Sequence, residues 1–127
     1  MLADYEAVMK AAGDRTRARI LKMLQGRELC VCQLMAVLRM SSSTVSKHLS
    51  ILKMTGLVQD RRDGRWVYYS LVSQTVDSTT PSGRNPYVGT ILRCLQDWLN
   101  DDPAIRADQQ KLEKLLATPV EQACGPV

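Results

Sequence analysis

Two cysteines stand two residues apart in Glu28-Leu29-Cys30-Val31-Cys32-Gln33-Leu34. A closed structural zinc site wants four ligands and commonly a C-x₂₋₄-C pair, and a disulfide framework belongs to small chains of oxidising compartments. The spacing suits neither, and the one histidine of the chain, His48, lies in a different segment. Chemistry of the reduced thiol, or plain burial, is what remains. On an α-helix, residues i and i+2 point about 200° apart, so two such sulfurs cannot hold one small ion. In extended backbone the same two residues share a face, roughly 6 to 7 Å apart at Cα. A ligand held by both thiols therefore requires a non-helical backbone around Cys30 to Gln33. Glu28 is the only carboxylate or histidine near the pair, and the chain has no Gly-rich phosphate cradle and no βαβ pattern. Thiol-based catalysis is thereby disfavoured, and the expectation is that the protein is not an enzyme.

The elements around the pair are legible from apolar spacing. Leu2 to Ala12 reads as a helix stopped by Gly13, and Asp14 can cap a second helix with Ala18, Ile20, Leu21, Met23 and Leu24 on its apolar face, ended by Gly26. A short third helix runs from Cys30 or Val31 to Leu38 with Leu34, Val37 and Leu38 inward. Met40 and Ser41 break the pattern. Ser42 to Met54 then reads as a fourth helix with a serine cap and Val45, Leu49 and Leu52 inward. Leu57 to Arg62 and Arg65 to Leu71 flank Asp63-Gly64, which reads as a hairpin turn. Ser73 to Pro86 is polar with two prolines and a glycine, a loop. Tyr87 to Leu99 follows as a helix with Val88, Ile91, Leu92, Leu95, Trp98 and Leu99 apolar, and Pro103 to Leu116 as another.

The fold class expected is mainly α with a β-hairpin wing. Two short helices joined by a tight turn, with a basic hairpin directly behind, make a winged helix-turn-helix, whose second helix enters the major groove. Charge agrees with that placement. Residues 39–69 hold six cations against two acids, a net of +4, whereas residues 70–127 are net −2. Such a distribution supplies a polyanion-binding face. The candidate DNA-contacting residues are Ser42, Ser43, Thr44, Ser46, Lys47 and His48 on the second helix, and Arg61, Arg62 and Arg65 on the wing. Short hydroxyls at a helix N-terminus reach phosphates or base edges without holding the helix off the duplex, and the helix dipole adds to the attraction. The same serines also serve as ordinary caps, and His48 as an ordinary surface histidine.

AAGDRTRARILKML, ELCVCQL, SSSTVSKHLSILKMTGLV and RRDGRWVYYSL resemble, in this order, the motifs of the ArsR/SmtB family of winged-helix repressors, especially its arsenic-responsive members. The resemblance covers roughly residues 4 to 71. It implies a homodimer, paired through the first helix and the Tyr87 to Leu99 helix, that sits on double-stranded operator DNA and leaves it when an inducer binds. It also implies As(III) or Sb(III) as that inducer, with no organic cofactor. These ions are soft and thiol-seeking, which makes Cys30 and Cys32 the expected ligands. Family members with this motif carry a third cysteine three residues on, where this chain has Met35; Cys94 or Cys124 could supply a third sulfur. The expected switch is that the metalloid stabilises an unwound segment at Cys30 to Gln33 and misplaces the recognition helix.

Alternatives on the same fold are a thiol redox switch and a repressor responsive to zinc or cadmium; a DNA-packaging protein without a sensor is a further one. The expected organisation is a DNA-binding and dimerisation domain over residues 1–100, then a C-terminal helix and flexible tail over 101–127. No apolar run is long enough to cross a bilayer, and the start lacks a signal-peptide layout. A cytoplasmic protein without a membrane partner is expected.

Overall fold

The computed structural model describes residues 1–72 and 85–119. Its order is α1 (Leu2–Gly13), α2 (Arg15–Met23), β1 (Leu29–Cys30), α3 (Val31–Leu38), α4 (Ser42–Met54), β2 (Val58–Asp63), β3 (Trp66–Leu71), α5 (Val88–Asp97) and α6 (Pro103–Leu116). Among the described residues, six helices and an antiparallel sheet in the order β1-β3-β2 make a winged helix-turn-helix.

Local chemistry sets most boundaries. The Asp14 carboxylate accepts from the Arg17 backbone N–H at 3.0 Å and starts α2, and that bond holds its pKa below the ordinary carboxylate value. Asp102 starts α6 in the same way, accepting from Ala104 N at 2.9 Å ahead of Pro103 in the first turn. The inward residues read from the sequence are inside: Leu34, Val37 and Leu38 of α3 and Val45, Leu49 and Leu52 of α4 are buried in one core with Ile20, Leu21, Leu92 and Leu112.

Several details differ from the sequence reading. The cap of α4 is Ser41, whose hydroxyl accepts from Thr44 N at 3.3 Å, and Ser42 is already helical. The hairpin turn lies one residue later than Asp63-Gly64. Asp63 pairs with Trp66, so Gly64 and Arg65 are the turn residues. Gly64 has φ +60 and Arg65 is not in the positive region, the pattern of a type II′ turn, which needs glycine only at its first position. Trp98 and Leu99 are not part of the apolar face of α5. Trp98 is its extended cap, Leu99 has φ +69, and the pair is 54% and 42% exposed. The buried Lys22 ammonium accounts for the chain leaving the helix there, because it donates to Leu95 O at 2.6 Å and Asn100 Oδ1 at 2.7 Å. The loop expected at Ser73 to Pro86 lies outside the described residues, apart from Asn85 and Pro86.

α6 packs against α2 and α3. Its buried Asp108 takes both arms of the Arg19 guanidinium, Nε and Nη2, at 2.8 Å each. α2 and α3 are thus backed by α6.

Candidate nucleic-acid interface and thiol pair

α4 presents its N-terminal hydroxyls outward. Ser42, Ser43, Thr44 and Lys47 are exposed, while Ser46 and His48 are half-buried. His48 faces back into the protein, its Nδ1 lying 3.1 Å from Arg17 Nη1. A guanidinium can only donate, so Nδ1 accepts and the neutral ring carries its proton on Nε2. Arg17 also donates to Ala11 O at 2.8 Å and Lys10 O at 3.1 Å, placing a cation on the carbonyl end of α1 and tying α1 to α4.

The wing arginines divide into two kinds. Arg61 is held by Glu28 in a two-pronged pair of 2.7 and 2.8 Å and lies 4.8 Å from the Tyr68 ring centre. The pair holds the Glu28 carboxyl below its ordinary pKa and raises that of Arg61. Arg62 and Arg65 are exposed, Arg65 resting over Trp66 at 5.3 Å, and no ion pair joins either to another described residue. Of the basic wing, Arg62 and Arg65 are therefore the side chains offered outward, and Arg61 must exchange Glu28 for any other anion.

The thiol pair sits where the wing meets the helix-turn-helix. Cys30 belongs to β1, which the sequence reading did not foresee, and pairs with Tyr68 of β3. It is also the cap of α3, with extended φ −89 and ψ 165. The Gln33 carboxamide oxygen accepts from the Cys30 N–H at 2.9 Å. A capping box with cysteine in the place of serine is the sequence signal that could have located this boundary. Because Cys30 is extended and only Cys32 is helical, the two sulfurs lie 3.3 Å apart without any unwinding. That corrects the expectation that a helical backbone keeps them apart. What stands in the way of a ligand is access: Cys30 is 2% exposed.

Cys32 is disulfide-bonded in this structure, whereas neither Cys30 nor Cys94 is in a disulfide. Cys94 is half-buried on α5, and among the described residues no third His, Cys, Asp or Glu joins the pair in a metal-holding group. Met35 packs against the core. Cys124 lies outside the described residues.

The family described as "Bacterial regulatory protein, arsR family" matches residues 14–60, from the cap of α2 into β2. The "Arsenical resistance operon repressor" of Escherichia coli K12 is 30% identical over 121 residues, 93% of this chain and 86% of that protein. The chain belongs to the ArsR family. Members of this family are DNA-binding transcriptional regulators, not enzymes. Another relative, "Arsenic resistance transcriptional regulator ArsR2" of Pseudomonas putida KT2440, is 38% identical over 96 residues, 75% of this chain and 79% of that one. Among solved structures, the homodimeric winged helix-turn-helix domain Mb0332 of Mycobacterium bovis superposes with a TM-score of 0.60 at 27% identity, covering 76% of this chain and 78% of that one. No described helix is long and apolar enough to cross a membrane.

Proposed function

We propose that this ArsR-family protein is a homodimeric repressor that binds operator DNA and is released when As(III) or Sb(III) is captured by Cys30 and Cys32, opening expression of an arsenic-resistance operon. The observation that carries the reading is the 3.3 Å separation of the two sulfurs at the junction of wing and helix-turn-helix. With metal–thiolate bonds of about 2.3 Å, that separation corresponds to a bond angle of about 90°, whereas a tetrahedral ion would set the sulfurs about 3.8 Å apart. A right-angled site suits a trivalent, pyramidal centre bearing a lone pair. Three-coordinate binding leaves one position for a water-derived ligand, a small thiol, or a sulfur from Cys94 of a second subunit or Cys124.

Release follows from enclosure. A metalloid with its coordination sphere cannot reach the Cys30 sulfur while β1 lies against Tyr68, so it binds a conformation in which Cys30 and Cys32 have moved out together with their spacing kept. A ligand that prefers one conformation shifts the population toward it. Moving Cys30 disturbs both the edge of the wing sheet and the first turn of α3, which together orient α4. Capture requires Cys32 in its reduced form, which a cytoplasmic location supplies. The DNA side of the reading is carried by Ser42, Ser43, Thr44, Ser46 and Lys47 on α4 and by Arg62 and Arg65 on the wing. His48 and Arg61 join only after leaving Arg17 and Glu28. The dimer forms on α1 and α5, where Leu2, Tyr5 and Met9 of α1 and, just past the end of α5, Trp98 and Leu99 are exposed apolar side chains. In this reading residues 1–100 are the DNA-binding and dimerising unit, and 101–127 are a C-terminal helix and tail, of which α6 packs against α2 and α3.

The test is operator release under a thiol reductant, with arsenite, antimonite, zinc and cadmium compared, and a reductant-free peroxide arm. Arsenite and antimonite release the wild type, while Cys30→Ser and Cys32→Ser each stay bound at the same concentration. Release of either variant at wild-type arsenite concentration refutes the pair as the sensor; release only by cadmium, zinc or peroxide replaces the inducer.

A further inference from the structure

Arg39 ends α3 in the left-handed region, φ 56 and ψ 46, with its N–H donating to Met35 O at 2.8 Å. The turn needs that backbone, because the chain must leave α3 and arrive at the Ser41 cap within two residues. Left-handed geometry favours glycine, which has no Cβ to crowd the carbonyl, then asparagine or aspartate, whose short polar side chains can hydrogen-bond locally, and an arginine has neither advantage. The backbone therefore explains the conformation and leaves the arginine unexplained. Its side chain is exposed, and no hydrogen bond or ion pair from the guanidinium to another described residue stabilises the turn. On α2, by contrast, Arg17 is occupied by His48, Arg19 by Asp108, and Lys22 by Leu95 and Asn100.

We propose that Arg39 is a DNA-phosphate contact made by the turn of the helix-turn-helix, kept at a strained position for its charge. It lies two residues before the Ser41 cap of α4, whose first turn carries the exposed hydroxyls of Ser42, Ser43 and Thr44 at the positive end of the helix dipole, and within the segment that carries the net +4 charge. A guanidinium there grips a phosphate through two parallel bonds and so fixes the register of α4 on the duplex. The contact carries no base preference. It acts on any duplex and does not depend on the thiol pair, so it stands or falls separately from the metalloid reading.

The experiment measures binding of the full-length protein to a mixed-sequence duplex of about 30 base pairs across a salt series, together with thermal unfolding at matched protein concentration. Arg39→Gly removes the charge and relieves the backbone, so it raises Tm by about 3 °C while weakening DNA binding at least tenfold. Its slope of log K against log salt falls by about 1.8 for a dimer, which is two phosphates at about 0.9 each. Arg39→Asn, which also tolerates the left-handed region, shows the same loss of slope without glycine's added flexibility. Arg39→Lys keeps most of the slope. A purely structural arginine would show stability and DNA affinity moving together. If both Arg39→Gly and Arg39→Asn retain the wild-type slope and bind within twofold, the proposal is overturned.

Discussion

Replacing Asp108 with alanine is the sharpest probe of how α6 supports the helices beneath the recognition helix. The carboxylate is 2% exposed and its partner Arg19 19% exposed, so removing the acid leaves a guanidinium largely shielded from water with no anion beside it. Breaking one side of such a pair costs about 3 kcal/mol or more, most of it the cost of the stranded charge. For 127 residues, an unfolding entropy of about 2.1 cal/mol/K per residue gives about 0.27 kcal/mol/K, so Tm falls by about 11 °C. Urea unfolding followed by circular dichroism, at fixed protein concentration, reads the loss directly. The paired change Arg19→Met with Asp108→Leu removes both charges and recovers most of it, because buried ion pairs and well-packed apolar pairs are close in net worth. Raising salt to about 0.5 M leaves the cost nearly intact, since a shielded pair is poorly screened. A loss under about 1 kcal/mol, or a paired variant no better than Asp108→Ala, would show that α6 is held by Leu112 and Ile105 alone and that the ion pair is incidental.

Asp14→Ala removes the cap of α2 and costs about 1 kcal/mol at neutral pH. Because the folded pKa of Asp14 lies below its unfolded value of 3.8, this contribution is complete above that value and disappears as pH falls through the folded one; acid-titrated unfolding in which the wild type keeps its advantage over the variant at low pH would contradict the assignment. Lys22 has its pKa lowered by burial from 10.5, so just below that pH the unfolded chain holds more protons and stability rises with pH. The wild type should therefore gain on Lys22→Met as denaturant titrations move from neutral toward pH 10.5, and a pH-independent difference refutes it. Gly64→Val forces a β-branched residue to φ +60 in the wing turn and should cost about 1 to 2 kcal/mol while weakening DNA binding; unchanged Tm and affinity would mean that the turn re-forms with another residue at that position.

Local periodicity was enough for the helices and wing strands, because each of these elements buries a stripe set by its own repeat. Asp14 before Arg15, and Leu34, Val37 and Leu38 on α3, needed nothing beyond near neighbours. The two-residue strand β1 escaped because a strand that short has no period of its own; it exists only where Tyr68 and Tyr69 offer a partner. The register of the wing escaped for the same reason, Asp63 being drawn into the strand by Trp66. Candidate DNA residues were legible as a set from charge and hydroxyl content, but sequence spacing could not tell that His48 is turned toward Arg17 or that Arg61 is claimed by Glu28, 33 residues away in the chain.

By itself the sequence determined that two thiols stand at the head of the helix-turn-helix, that the middle of the chain is basic, and that α4 begins in hydroxyls. Residue identity and short-range geometry suffice for that. The tertiary structure decided that the thiols converge without unwinding, because β3 holds Cys30 extended while α3 starts one residue later. Burial of Cys30 then turned the question from how the sulfurs meet to how a ligand reaches them. A backbone conformation imposed by a distant strand, and the enclosure of a side chain by a core assembled from every helix, are properties no local pattern encodes.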